Sequence, residues 1–156
     1  MCRYVYAFDL VEEDGEVFFE FCNPDLSFIV TSVAPGCPEA TDSKKAAAYA
    51  HDALITGLQG LISLREAIPD VDDPHLRQSD GFVGLGVVES AKLKLYDLML
   101  TNDWSISQLA RKLRKTRPIA QRLLDLSHPS KIDEIEKAVA TFGMRLVHDW
   151  NTERAA

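Results

Sequence analysis

The chain has 156 residues, of which 46% are hydrophobic and 26% charged, and its formal net charge is −7. These values are those of an ordinary soluble globular protein, and the sequence shows no internal repeat or low-complexity segment. It has neither an apolar run long enough for a signal peptide or a membrane span nor a C-x-x-C pair, so we expect a cytoplasmic protein without a disulfide framework or a zinc site.

The first part of the chain predicts an antiparallel sheet. Aromatic and β-branched residues fill three segments, at about 3–11, 16–21 and 27–33. The Asp14-Gly15 step between the first two segments is a hairpin signal, because glycine accepts a positive φ at little cost. Pro24 ends the second strand, since proline cannot donate to a sheet ladder. Residues 34–41 contain two prolines and a glycine, and predict a loop.

A long amphipathic helix is predicted next, capped by Asp42 or Ser43 and ending near residue 65. Apolar residues recur at helical spacing and form one stripe: Ala46, Ala47, Ala50, Ala53, Leu54, Leu58, Leu61 and Ile62. Residues 68–81 predict a loop, and residues 82–88 a fourth strand. The expected fold is therefore α+β, with a β-β-β-α-β domain over residues 1–86.

The remaining residues, 87–156, predict an all-helical domain. Helices are expected over about 90–100, 106–113, 117–127 and 131–142. Ser105 and Gln108 predict a capping box at the start of the second of these helices. Thr116 and Ser130 are the expected caps of the third and fourth.

The second and third of these helices predict a helix-turn-helix. Ala110 lies where the two helices cross, and a larger side chain there would push them apart. The residues expected on the inner faces are Ile106, Leu109, Leu113, Ala120, Leu123 and Leu124. In this geometry the start of the second helix of the pair enters the major groove, while the first helix crosses the DNA backbone. Arg114 holds the turn position where glycine is common, which predicts a turn that is either less sharp than usual or slightly strained.

Charge is distributed unevenly along the chain. Residues 1–88 carry 5 Lys/Arg against 15 Asp/Glu, whereas residues 105–131 carry 7 Lys/Arg and one acid, Asp125. A basic stretch of this kind suits phosphates. The residues predicted to contact DNA are Arg111, Lys112, Arg114, Lys115, Thr116, Arg117, Gln121 and Arg122. Arg117 and Gln121 are the candidates for reading bases, and the cations beside them for holding phosphates.

Five short motifs, taken in their order along the chain, resemble the HicB antitoxin family. They are the Asp14-Gly15 hairpin, the Pro24-Asp25 step, the Ala-rich helix that ends before Ile68-Pro69, the run I-S-Q-L-A-R-K-L at 106–113, and S-K-I-D at 130–133. The resemblance covers nearly the whole chain. The sequence departs from the family pattern after the third strand, where a longer loop with Pro35 replaces the usual T-x-G-D-T run.

The resemblance implies two binding functions and no chemistry. The N-terminal domain would have a degenerate ribonuclease-H-like fold and would cover a HicA-like toxin, a small basic ribonuclease that cleaves mRNA. The excess of acids over residues 1–88 suits such a partner. The C-terminal domain would bind operator DNA and repress the operon. Because one helix-turn-helix contacts one half-site, we expect a homodimer or higher homo-oligomer built through Val139, Phe142, Leu146 and Trp150.

Three other functions stay open. A metal-dependent nuclease would need several carboxylates around Mg²⁺, and Asp9, Glu20 and Asp25 are the candidates, without further partners at matching spacing. A transcription regulator that senses a small ligand would have no toxin, and a sensor pocket leaves no motif. A helical module that binds proteins would carry its basic face incidentally.

We expect no catalytic residue, metal or cofactor. The acidic loop with Asp70, Asp72, Asp73 and His75 lacks the glycine and the terminal glutamate of a calcium loop. His51 has no triad-like partner in sequence, and a structural or surface role is expected for it.

Overall fold

A computed structural model describes residues 4–71 and 78–147 of the chain. Within these ranges four strands form one antiparallel sheet in the order β3-β2-β1-β4: β1 (Val5–Glu13), β2 (Glu16–Phe21), β3 (Val30–Val33) and β4 (Gly81–Gly84). The helices are α1 (Pro38–Thr41), α2 (Ser43–Leu64), α3 (Val87–Thr101), α4 (Ile106–Leu113), α5 (Arg117–Arg122) and α6 (Ile132–Ala140), with a 3-10 helix at Pro24–Leu26. The order confirms the predicted α+β class, with strands first and a helical region after them.

The β1–β2 hairpin turns at the predicted Asp14-Gly15 step. Both residues have positive φ, 51° and 78°, as in the two-residue turns whose twist matches that of the flanking strands. Strand β1 lies between β2 and β4, and its residue Phe8 is paired with Phe21 of β2 on one side and with Gly81 of β4 on the other. The Phe8 ring occupies the space that a Cβ on Gly81 would need, so this close approach requires glycine.

Helix α2 covers one face of the sheet. The Asp42 carboxylate caps it by accepting hydrogen bonds from the backbone N–H groups of Lys44 (2.9 Å) and Lys45 (3.1 Å). The centre of the Tyr49 ring lies 5.0 Å from the centre of the Phe19 ring on β2. The predicted cap and apolar stripe are confirmed, and the buried members of that stripe are Ala46, Ala50, Leu54, Leu58 and Ile62.

Strand β3 is shorter than the predicted 27–33. The 3-10 helix continues into a turn in which the Ile29 N–H donates to the Leu26 carbonyl (3.0 Å), so the chain becomes extended only at Val30. The predicted loop at 34–41 contains the single-turn helix α1, which starts at a proline that needs no N–H partner there.

Strand β4 also ends earlier than predicted, because α3 starts earlier. The backbone N–H of Gly86 donates to the Glu89 carboxylate (2.7 Å), which fixes the start of α3 at Val87 rather than near residue 90. The predicted strand at 82–88 is therefore cut to Gly81–Gly84.

The last two helices differ from the prediction in their ends. Helix α5 has six residues and is shorter than the predicted 117–127, because the chain beyond Arg122 continues in turns. Thr116 stands at its N-cap, as predicted, but the side chain makes no capping hydrogen bond. The predicted Ser130 cap of α6 is wrong: Lys131 is the N-cap, and the Ser130 hydroxyl donates to the Arg122 carbonyl (3.4 Å).

Contacts join the sheet layer to the C-terminal helices. The Tyr96 hydroxyl of α3 donates to the Glu66 carbonyl (2.6 Å), and the Leu126 N–H donates to the Gln59 side chain of α2 (2.8 Å). A single cluster of buried apolar residues runs from the sheet through α2 and α3 to α6. The domain boundary after residue 86 stays a prediction. No helix in the described ranges has the length and hydropathy needed to cross a membrane.

Candidate functional site

Helices α4 and α5, which we call the α4–α5 unit (residues 106–122), form the predicted helix pair. The predicted capping box is present at the start of α4. The Gln108 N–H donates to the Ser105 hydroxyl (3.2 Å), and the Ser105 N–H donates to the Gln108 side chain (2.7 Å). Two backbone donors at the helix start are thereby satisfied, which fixes where α4 begins.

The inner faces of the two helices are buried as predicted. Leu109 and Ala120 are fully buried, and Ala110 is 5% exposed. Leu123 and Leu124, just beyond α5, are also buried, while Ile106 and Leu113 are half-buried against the same core. The apolar side chains therefore fix the packing of α4 and α5 and leave the opposite faces to solvent.

The turn between the helices carries backbone strain at Arg114, one of the two alternatives predicted for this position. Arg114 has φ 52° and ψ 41°, in the left-handed region, and ends α4 as its C-cap. Its N–H donates to the Arg111 carbonyl (3.2 Å), and the N–H of Lys115 donates to the Ala110 carbonyl (2.9 Å). These bonds satisfy the end of α4, but a side chain in this conformation costs about 1 kcal/mol more than glycine.

All eight residues predicted to contact DNA are exposed. Arg117, Gln121 and Arg122 line one wall of a cleft, and the remaining five residues lie outside its lining. Lys112 extends over the Trp104 ring, with Nζ 5.9 Å from the ring centre. Within residues 4–71 and 78–147, none of the six basic residues in this set forms an ion pair with a carboxylate. Their charges are therefore available to a ligand.

Lys92, a residue that the sequence analysis missed, holds the end of α5 in place. Its side chain is fully buried, and Nζ donates to the carbonyl oxygens of Arg122 (3.1 Å), Asp125 (2.5 Å) and His128 (2.6 Å). Burial lowers the pKa of Lys92, and the nearby Asp125 carboxylate opposes that shift. The sequence does place this lysine one turn after Val88 on the apolar stripe of α3, which indicates a buried position. Its partners are backbone carbonyl groups, however, and no residue pattern identifies those.

The sheet face opposite α2 carries acidic and apolar side chains in neighbouring rows. In the strand register, Asp9 of β1 is paired with Glu20 of β2, and Val11 with Phe18. The two carboxylates thus lie on one face between apolar side chains, with the half-buried Val11 and Phe18 on one side and the half-buried Phe82 of β4 on the other. We call these five residues the acidic sheet face.

The carboxylates considered for a nuclease do not form a metal site. The Asp9 carboxylate accepts hydrogen bonds from the Asp80 N–H (3.1 Å) and from the Cys22 thiol (3.4 Å). Asp25 lies on the 3-10 helix. Among the described residues, no group of three or more metal-ligating side chains is close enough to hold an ion. Of the acidic loop, Asp72, Asp73 and His75 lie outside the described residues.

The residues expected at a dimer interface are partly used within the chain. Val139 is 1% exposed and is not available to a second copy, so that part of the prediction was wrong. The Phe142 ring packs on Trp104, with the ring centres 4.2 Å apart, and Leu146 is half-buried. Trp150 lies outside the described residues.

His51 has a structural contact, as predicted. Its Nε2 atom lies 3.1 Å from the Glu89 carboxylate and so joins α2 to the first turn of α3.

Curated relatives found by comparison with known proteins span most of the chain. Antitoxin HicB of Pseudomonas fluorescens (strain Pf0-1) is 30% identical over 145 residues, 92% of this chain and 92% of that protein. Antitoxin HicB 2 of Photorhabdus laumondii subsp. laumondii is 33% identical over 116 residues, 72% of this chain and 81% of that protein. Antitoxin HicB of Escherichia coli (strain K12) is 28% identical over 127 residues, 79% of this chain and 89% of that protein. No family model matches the chain.

Proposed function

The chain belongs to the HicB antitoxin family, and on that premise we propose that it neutralises a small ribonuclease toxin and represses its own operon. The toxin would be a HicA-like basic protein, and the repressor activity would lie in the α4–α5 unit. Neither activity requires a chemical step, because both are binding events that block a surface.

The observation that carries the DNA-binding proposal is the contrast between the two faces of the α4–α5 unit. Its inner face is buried, whereas the eight candidate contact residues are exposed. In a helix-turn-helix, Arg117 at the start of α5 and Gln121 one turn later would face base edges, where arginine pairs with guanine and glutamine with adenine. Lys115 in the turn would hold a phosphate. Lys92 would hold the C-terminal end of α5 in place while the N-terminal end of that helix lies in the major groove.

Toxin binding is assigned to the acidic sheet face. A ribonuclease must carry a basic surface for its RNA, and carboxylates next to apolar side chains complement such a surface in both charge and chemistry. Asp9 and Glu20 would supply the charge, and Phe18 and Phe82 the apolar area. Covering the RNA-binding surface of the toxin would be enough to inhibit it.

Binding titrations of two variants test the DNA proposal. Arg117→Ala is expected to cost about 1–3 kcal/mol on a duplex that spans the promoter of its own operon, and little on a scrambled duplex of equal length. Lys115→Ala is the matched control, because loss of a phosphate contact weakens both duplexes alike and reduces the salt slope by about one. Equal losses on both duplexes for Arg117→Ala would make it a phosphate contact. Binding that neither variant changes would refute the assignment of the α4–α5 unit.

The DNA-binding form is proposed to be a homodimer, because specific operators are read as two half-sites. Light scattering at micromolar concentration should give twice the chain mass. A monomeric mass together with unchanged tight binding to the promoter duplex would contradict the dimer.

A further inference from the structure

The cleft beside α5 has a second wall that belongs to the sheet layer. Its volume is about 720 Å³, within the range of sites that hold small molecules or a segment of a larger ligand. One wall comes from α5 and the start of α4, and the other from the end of α2. The floor is buried and apolar, whereas the rim is exposed and polar, with Ser63, Arg65, Ser107, Arg117, Gln121 and Arg122. The lining contains three arginines and one aspartate, Asp125, so it carries an excess of positive charge.

We infer that one strand of the DNA backbone lies in this cleft, so that Arg65, at the end of α2, is a phosphate contact outside the α4–α5 unit. The inference rests on the proposed DNA binding. In a helix-turn-helix the first helix crosses the backbone while the second reads the groove, so the backbone passes between the start of α4 and the start of α5. Arg117 and Ser107 mark those two positions in the cleft. A strand held there meets the opposite wall, which carries Arg65.

Arg65 can exchange its present partner, the Asp103 carboxylate, for a DNA phosphate. Its guanidinium lies 3.0 Å from the Asp103 carboxylate, and the two side chains are 50% and 96% exposed. An ion pair this exposed contributes little, so a phosphate competes for the arginine at low cost. A small-molecule site would enclose its ligand, whereas this rim is exposed from Ser63 to Arg122, which favours a long ligand that enters and leaves the cleft.

Arg65→Gln, Asp103→Asn and Lys44→Gln test the inference in the full-length protein. Arg65→Gln should weaken binding to the promoter duplex and to a scrambled duplex by the same factor, about fivefold per bound protomer at 0.15 M salt, since each phosphate contact adds about 0.9 to the salt slope. Asp103→Asn breaks the same ion pair but leaves the arginine, and should keep or strengthen binding. Lys44→Gln removes a charge at the other end of α2, roughly 30 Å away, and should change nothing.

The outcomes separate this inference from the proposal on which it rests. If Arg65→Gln binds like the wild type while Arg117→Ala loses the promoter, the DNA backbone does not use the cleft and only the inference fails. If Arg65→Gln and Asp103→Asn weaken binding equally, the pair acts by joining two elements, and the inference is also overturned. If no variant in either wall changes binding, the α4–α5 unit does not bind DNA and the proposed function fails with it.

Discussion

The Nζ atom of Lys92 lies 2.6 Å from the carbonyl oxygen of His128, 36 positions further along the chain. With the Arg122 and Asp125 carbonyls, this bond closes the turns that follow α5 around one buried ammonium group. Carbonyl groups beyond a helix end need donors, and an ammonium group supplies three. The position of α5, which presents Arg117 and Gln121, therefore depends on a residue that has no contact with solvent.

Replacement of Lys92 by methionine should destabilise the protein. The methionine fills most of the volume, but three carbonyls each lose the hydrogen bond from the ammonium group, and the expected decrease in the free energy of unfolding is about 2–4 kcal/mol. Urea denaturation followed by circular dichroism measures it. Lys137→Met, on the exposed side of α6, serves as the control and should change stability by less than about 0.5 kcal/mol. A Lys92→Met protein as stable as the control would show that water or other donors satisfy the carbonyls.

The pair formed by Tyr4 and Asp97 predicts a pH effect. The Tyr4 hydroxyl donates to the Asp97 carboxylate (2.8 Å), and burial raises the pKa of Asp97 above its ordinary 3.8 despite this bond and the nearby Lys94. The folded state therefore holds the Asp97 proton more tightly than the unfolded state, and the stability that this proton contributes is lost as pH rises through the raised pKa. Asp97→Asn keeps an acceptor for Tyr4 without the charge.

We expect Asp97→Asn to gain stability relative to the wild type as pH rises from 3 to 7. The difference between the two unfolding free energies, measured at several pH values, isolates this carboxyl group from all others. A difference that does not change with pH, or that falls, would contradict the raised pKa.

Arg114→Gly should separate stability from DNA binding. Glycine relieves the left-handed conformation at this turn and should add about 1 kcal/mol to the free energy of unfolding. The same change removes a proposed phosphate contact, so binding to any duplex should weaken and the salt slope should fall by about one. Thermal unfolding and DNA titration of one preparation measure both. A variant that is stabilised yet binds DNA as before would remove Arg114 from the contact set.

Local signals predicted much of this fold because they act over a few residues. The Asp14-Gly15 turn, the Asp42 cap of α2 and the Ser105-Gln108 capping box each satisfy backbone groups nearby, and all three are present. Ser130 failed because its hydroxyl bonds to Arg122, eight residues earlier, a partner that local spacing does not indicate.

The arrangement of the candidate site depends on contacts that are distant in sequence. Gln59 bonds to Leu126, 67 positions away, and brings the end of α2 beside α5. Arg65 consequently lines the same cleft as Arg117, although the sequence predicted α2 only as the helix of the N-terminal sheet domain. The charge excess at 105–131 identified the exposed cations, but not the second wall opposite them.

If toxin and DNA bind separate surfaces, a variant in either surface should lose one ligand and keep the other. The measurement is the affinity of full-length Glu20→Lys and Arg117→Ala for the purified HicA-like toxin proposed as the partner and for the promoter duplex, with Asp52→Lys on the exposed side of α2 as the charge-matched control. Glu20→Lys should lose affinity for the toxin and keep the promoter, Arg117→Ala should do the reverse, and Asp52→Lys should keep both. Loss of toxin binding by Arg117→Ala, or of promoter binding by Glu20→Lys in a folded protein, would contradict the assignment of the two functions to separate surfaces.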